Sequence, residues 1–200
     1  MLTEFNMRKI MREDLLSLEK YAEQRLAFRD RVMVHKKDRR LDLGTNAVLY
    51  FEDRLTMHYQ IQEMLRIEKI FEADSINEEL DAYNPLIPDG SNWKATFMIE
   101  FPEVEERKKM LSRLLGIESR VYVQVADFDR LFAVADEDIE RSDDHKTSAV
   151  HFMRFELPSE QSTALKSGAP LIAGIDHENY MVEVRPVSEA VRASLINDLS

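Results

Sequence analysis

The sequence predicts an α+β fold, a mainly antiparallel sheet with long N-terminal helices packed on it, on three observations. Apolar residues follow the helical period in the first part of the chain and alternate with period two after a turn-rich loop around Pro88. Hairpin signals stand on either side of that loop. The strict strand-helix alternation of a parallel sheet is missing. We therefore expect a single α+β domain over residues 1–200, helix-rich over about 1–86 and strand-rich over about 92–200.

The elements follow in order. A first helix is expected over residues 12–37, with Leu15, Leu18, Ala22, Leu26 and Met33 on a stripe that Arg29 interrupts. Two β-prone runs, 39–43 and 47–51, flank Gly44-Thr45-Asn46 and read as a hairpin. A second helix over 52–72 is apolar on two sides, Met57, Ile61, Met64 and Leu65 on one and Leu55, Tyr59, Ile67 and Ile70 on the other. Such a helix is sandwiched between other elements. Its charged residues Arg54, Glu63, Arg66 and Glu68 fall within or beside those faces and need partners there. A short helix over 75–83, capped by Asp74 or Ser75, ends at Asn84-Pro85. Trp93, Ala95, Phe97, Ile99 and Phe101 then alternate with polar residues as in a half-buried strand. Pro102 and the acids after it start a helix at its first position, and Gly116 closes it. Further strands are expected at 120–126, 130–135, 148–157, 171–175 and 180–184, and short helices at 158–166 and 188–199.

Composition excludes several classes. The formal net charge of −11 argues against a non-specific nucleic-acid binder. No apolar run reaches the roughly 18 to 20 residues of a membrane span, and no signal-peptide pattern opens the chain. A cytoplasmic protein is expected, with neither nucleic acid nor membrane as a partner. Zero cysteines removes disulfides, thiolate nucleophiles and iron–sulfur ligation. Five glycines form no dinucleotide or phosphate-loop motif.

Candidate residues are few. Tyr59, Glu63 and Arg66 share one helical arc, where Glu63 and Arg66 either hold a ligand or form a structural ion pair. His151 shares a strand face with Met153, Phe155 and Leu157 and is the best candidate acid or base, or else a bonded core histidine. Arg154 then faces away from it. His58 and Glu68 on the second helix, and His177 in a hairpin turn with Asp176 and Glu178, are the candidate metal ligands, without a recognised spacing. Arg40, in the basic cluster Lys36, Lys37, Arg39 and Arg40, is a candidate anion contact at a helix end. The acidic loop from Asp136 to Lys146 lacks EF-hand spacing and reads as solvated.

Four segments carry a resemblance: Arg8-Lys9-Ile10 leading to Asp14-Leu15-Leu16-Ser17-Leu18, the run 36–44, the helix segment 59–66 and the strand Thr147-Ser148-Ala149-Val150-His151-Phe152. Together they resemble the bacterial domain-of-unknown-function family numbered 3501, over nearly the whole chain. The resemblance brings no catalytic residues. It implies association by gene context, genes of this family often standing near those for rubrerythrin-like proteins and an iron–sulfur oxidoreductase subunit. Two functions are expected: from the resemblance, an accessory protein to a redox or peroxide-handling system, carrying no cofactor itself; or, from the candidate residues, a small-molecule-binding protein or enzyme, with or without a metal, whose pocket gathers His151, Glu63 and Arg66. A redox protein or a second copy of the chain is the expected partner.

Overall fold

The structure is a computed structural model that describes residues 7–139, 141–142 and 145–200; Glu140, Asp143 and Asp144 of the acidic loop lie outside them. The α+β expectation holds. Among the described residues nine strands, β1 (Arg40–Asp42), β2 (Ala47–Glu52), β3 (Asn92–Ile99), β4 (Val121–Val125), β5 (Leu131–Phe132), β6 (Val134–Ala135), β7 (Val150–Glu156), β8 (Leu171–His177) and β9 (Tyr180–Val184), form two antiparallel sheets. Their orders are β1-β2-β3-β7-β6 and β5-β4-β8-β9. Six α-helices accompany them: α1 (Leu18–Lys37), α2 (Arg54–Glu68), α3 (Ala73–Tyr83), α4 (Val104–Arg113), α5 (Ser159–Lys166) and α6 (Glu189–Ile196).

The alternation read from the sequence sets the architecture. Odd residues of β2, β3 and β7, such as Leu49, Phe51, Trp93, Phe97 and Phe155, point inward and meet Val121, Val123, Leu171 and Ile175 of the second sheet in one apolar core. Trp93 is fully buried and donates its indole N–H to the Leu195 carbonyl at 2.9 Å, which docks α6 against the core. The sheets join at two seams. At one, β5 and β6 are halves of a single run bent at Ala133, whose N–H donates to Val121 of the second sheet. Three residues on, the Asp136 N–H donates to Phe152 of the first. At the other seam the Tyr180 hydroxyl donates to the Leu43 carbonyl at 2.8 Å and accepts from the Asn46 N–H at 3.1 Å, gripping the β1–β2 turn. That turn needs Gly44, which has φ +80° and would place a Cβ 2.7 Å from the Tyr180 oxygen.

The helices α1 to α3 form their own layer. Met57, Ile61 and Leu65 of α2 pack with Leu80 and Ile87 on one side, while Leu55 and Tyr59 pack toward α1 on the other. The two-sided reading of this helix holds, although Ile67 is exposed and the helix stops at Glu68. The first helix departs from expectation. Residues 12–14 are a 3-10 turn, and α1 begins only after Ser17, whose hydroxyl accepts from the Lys20 N–H. The expected stripe holds only in part: Leu15, Leu18 and Met33 pack at the edge of the layer, but Ala22 is exposed and Leu26 is 69% exposed, and Tyr21, Phe28 and Val32 form the buried face. Leucines set the expected stripe, whereas the aromatic and β-branched residues a few positions away supply the packing. The cap of α3 is Glu72 rather than Asp74 or Ser75, and Pro102 precedes the Glu103 cap of α4 rather than opening the helix.

A buried ion cluster locks the layer to the sheets. Arg39, 2% exposed, donates to the Phe51 and Glu52 carbonyls at 2.9 and 3.0 Å and to both oxygens of Asp198 at 3.3 and 2.5 Å. Asp53 lies 3.5 Å from the same guanidinium and 2.5 Å from the His35 ring. Burial pushes Asp53 upward, but the bond from His35 and the charge of Arg39 win and hold it at about 2. In Asp198 burial wins over Arg39 and, aided by the charge of Asp53, raises the carboxyl from 3.8 to about 6.

Two expectations follow. Gly174 sits where an added Cβ would lie 2.5 Å from the Val182 carbonyl and 2.6 Å from the Tyr122 oxygen. Gly174→Ala is expected to destabilise the fold by about 1 to 3 kcal/mol, read by urea denaturation. Asp198 has a folded pKa above its unfolded value, so its stabilisation is complete below about pH 4 and is lost as the pH rises to about 6. Asp198→Asn should remove that loss, so the stability difference from the parent changes across this window; a constant difference contradicts the assignment.

Candidate functional site

The register of β3 and β7 builds the floor of a cleft on the outer face of the first sheet. Lys94 stands opposite Arg154, and Thr96 opposite Phe152. These even-numbered residues point away from the apolar core. The end of α3 and the 3-10 turn Asn84–Leu86 roof them, with Tyr83, Pro85 and Leu86 facing down. Glu137 and Asp138 close one side. The enclosed space is about 570 Å³, within the range of small-molecule sites, and its lining is mainly apolar with charged groups set into the floor.

Those charges differ in how they are satisfied. Arg154 makes a two-pronged pair with Glu137 at 2.9 and 2.8 Å and reaches Glu156 at 2.5 Å. Lys94 makes no hydrogen bond or ion pair among the described residues. Its cross-strand neighbour Glu52 turns instead to the Thr96 hydroxyl, at 2.8 Å. Burial first, then the Arg154 guanidinium, hold the Lys94 ammonium below the ordinary lysine range against the opposing charges of Glu137, Asp89 and Glu156.

The acidic wall is held from behind. Asp136 adopts a left-handed φ of 53°, which aims its carboxylate at the sheet. Oδ2 takes the His151 Nδ1–H at 2.6 Å, and Oδ1 accepts from the Phe152 N–H and from Arg141, each at 3.1 Å. Arg141 in turn clasps both oxygens of Asp138 at 2.6 Å and lies over the Phe152 ring, 4.5 Å from its centre. On the far side His151 Nε2 faces the Thr147 hydroxyl at 2.9 Å and the Ser148 carbonyl at 3.1 Å, and Thr147 donates to Glu118 at 2.9 Å. The order hydroxyl, imidazole, carboxylate matches a nucleophile triad. His151 is fully buried and Thr147 is 1% exposed, however, so this chain of bonds serves to position the wall.

The structure distributes the sequence candidates over separate places. Glu63 and Arg66 do meet, at 3.1 Å, but Glu63 is also bound by Tyr21 at 2.6 Å and by Arg25 at 2.7 and 2.8 Å, which ties α2 to α1. Tyr59 packs edge-on to Phe28 beside them. His151 shares no bonding partner with this group. Arg40 is exposed, pairs with Asp42 and covers Tyr50. His58 is wedged against Phe28, its Nε2 has no hydrogen-bond partner, and burial with Arg54 and Arg31 pushes it down to about 4. Glu68 is exposed near the other end of α2. His177 closes β8, donating from Nε2 to the Leu115 carbonyl and accepting at Nδ1 from the Asn179 N–H. Among the described residues no group of His, Asp and Glu is arranged to hold a metal ion. Lys94 was visible in the sequence only as an outward residue of a strand; nothing there placed Arg154 opposite it or α3 above it.

The fold and cleft define an antiparallel α+β protein with a polar-floored cavity between a helical layer and a sheet. The chain belongs to the family described as protein of unknown function (DUF3501), which matches residues 9–199. It is similar to a crystal structure of a novel protein of unknown function from Burkholderia pseudomallei, with 49% identity and a TM-score of 0.92, covering 96% of this chain and 100% of that one. No curated protein matches the chain.

The wall's support is testable at Asp136. Asparagine adopts the left-handed backbone at less cost than alanine. Asp136→Ala is therefore expected to cost about 1 kcal/mol more than Asp136→Asn. Asp136→Ala, which removes the acceptor, should speed amide exchange at Phe152 more than Asp136→Asn, which keeps an amide oxygen there; unchanged exchange in Asp136→Ala contradicts the role given to this carboxylate.

Proposed function

We propose that this protein binds a small organic molecule in the cleft between α3 and the β3–β7 face. The observation that carries the reading is Lys94, a charged group half-buried on the floor of a mainly apolar cavity of about 570 Å³ with no partner of its own among the described residues. A half-buried charge that no side chain bonds is held at a desolvation cost, and perturbed groups of this kind cluster at functional sites. The ligand that fits has an apolar or aromatic body, received by Tyr83, Leu86 and Phe152, and one oxygen-bearing end directed at Lys94. The pocket thus stands apart from the grouping of His151, Glu63 and Arg66 expected from sequence. His151 supports its wall, and Glu63 and Arg66 belong to the helical layer. Benzoate titrated into labelled protein is expected to shift the ring signals of Tyr83 and Phe152, and Lys94→Met to weaken that binding by about tenfold or more, the worth of one desolvated charged contact. Equal affinity in the variant contradicts the site.

A second reading, the accessory protein docked on a redox partner that the family resemblance implies, is favoured by a separate observation. An apolar groove of about 370 Å³ runs between residues 15–19 and the end of α2, lined by Leu15, Leu18, Leu65 and Ile70, and Phe71 on its rim is 69% exposed. Exposed apolar surface of this kind marks protein contacts. Phe71→Glu should abolish co-purification of a rubrerythrin-like or iron–sulfur partner while leaving benzoate binding intact. Recovery of that partner in undiminished yield counts against the groove.

A further inference from the structure

Lys94 differs chemically from the other charged groups of the cleft. Arg154, Glu137 and Asp138 are each engaged by an opposite charge, and their bonds fix them in place. The Lys94 amine has none of these restraints and is the one floor group whose nitrogen can be a nucleophile. Burial first, and then the Arg154 guanidinium, disfavour a positive charge on it and outweigh the opposing charge of Glu137. Its strand is rigid, paired on both sides by β2 and β7, so the amine is presented from a fixed backbone. The apolar roof of Tyr83, Pro85 and Leu86 shields a reacting carbon from bulk water, while the open side of the cleft lets one water molecule leave.

We infer that Lys94 captures the carbonyl group of an aldehyde or ketone in this cleft as a reversible imine. The inference rests on the cleft being the ligand site. The neutral amine attacks the carbonyl carbon, forming a C–N bond as the C=O pair moves to oxygen. Proton transfer from nitrogen to that oxygen gives a carbinolamine. Loss of the hydroxyl as water, with the second N–H proton, leaves the C=N bond. One amine and one carbonyl thus yield one imine and one water, with no oxidant or reductant needed. Hydrolysis reverses each step, so the protein can carry or sequester a reactive carbonyl and release it unchanged. Glu137, which lines the same cleft, acts on the Lys94 position as an opposing charge and so favours the protonated imine.

The test is reductive trapping on the whole protein. Benzaldehyde with cyanoborohydride at pH 7 converts any imine to a stable benzylamine, which peptide mass spectrometry locates by residue. Lys94 is expected to be labelled faster than the exposed Lys37 and Lys109, and, unlike them, to saturate with benzaldehyde as a bound aldehyde fills the cleft. Benzoate should compete. Lys94→Arg, which keeps a cation but cannot form an imine, should lose the fast saturable label while the slow labelling of Lys37 and Lys109 continues. Labelling of Lys94 no faster than at those lysines overturns the covalent step. If benzoate still shifts Tyr83 and Phe152 in that case, the cleft binds without bond formation; if it does not, the binding reading falls as well.

Discussion

The Arg39 guanidinium is the interaction on which the arrangement of layers depends. It leaves solvent almost completely, and that is tolerable only because two backbone carbonyls and two carboxylates surround it. Those partners come from distant places: the end of β2, the cap of α2 and the turn after α6. One side chain thereby fixes where the chain leaves the sheet, where α2 starts and where the C-terminal turn docks. Two carboxylates around one cation cannot both be equally ionised, and the split between Asp53 and Asp198 is the electrostatic consequence.

The position of α2 sets that of α3, which packs on it through Leu80 and is followed by Ile87 in the same cluster, and the end of α3 roofs the sheet. Side-chain amides fasten the preceding segment to the same layer: Gln62 pairs with both backbone groups of Leu16, and Asn84 with those of Ile10. The roof is thus held from two directions. Beneath it the outward face of β3 and β7 cannot be wholly apolar, because the same face continues into solvent. Lys94 is the residue left between these demands. Its cross-strand neighbour Glu52 bonds Thr96 through one oxygen and the nearest loop acid is bonded by Arg154, so no side-chain bond among the described residues restrains it.

Much of the fold was legible because its signals are local. Period-two alternation identified β3 and β7, the Gly44 turn identified the first hairpin, and the two apolar faces of α2 announced a sandwiched helix. The buried face of α1 was not legible, since it depends on which neighbours α2 offers, and Tyr21, Phe28 and Val32 outcompete a leucine stripe for them. The inward placement of His151 could be read from its strand, but its partner Asp136 could not, because a left-handed aspartate looks like any loop acid in sequence. Glu63 and Arg66 were recognised as a pair; Arg25 and Tyr21, which complete their shell, come from another helix and leave no local trace. The cleft itself is a long-range product of strand register and helix placement, so its residues carry no shared spacing.

Native mass spectrometry of the protein purified from its own host, without added ligand, tests the central claim most directly. The account predicts a population carrying the mass of one small organic molecule, and borohydride treatment before analysis should fix that mass to the peptide containing Lys94. A chain that is bare in every charge state, and unchanged by borohydride, contradicts the view of the cleft as an occupied site.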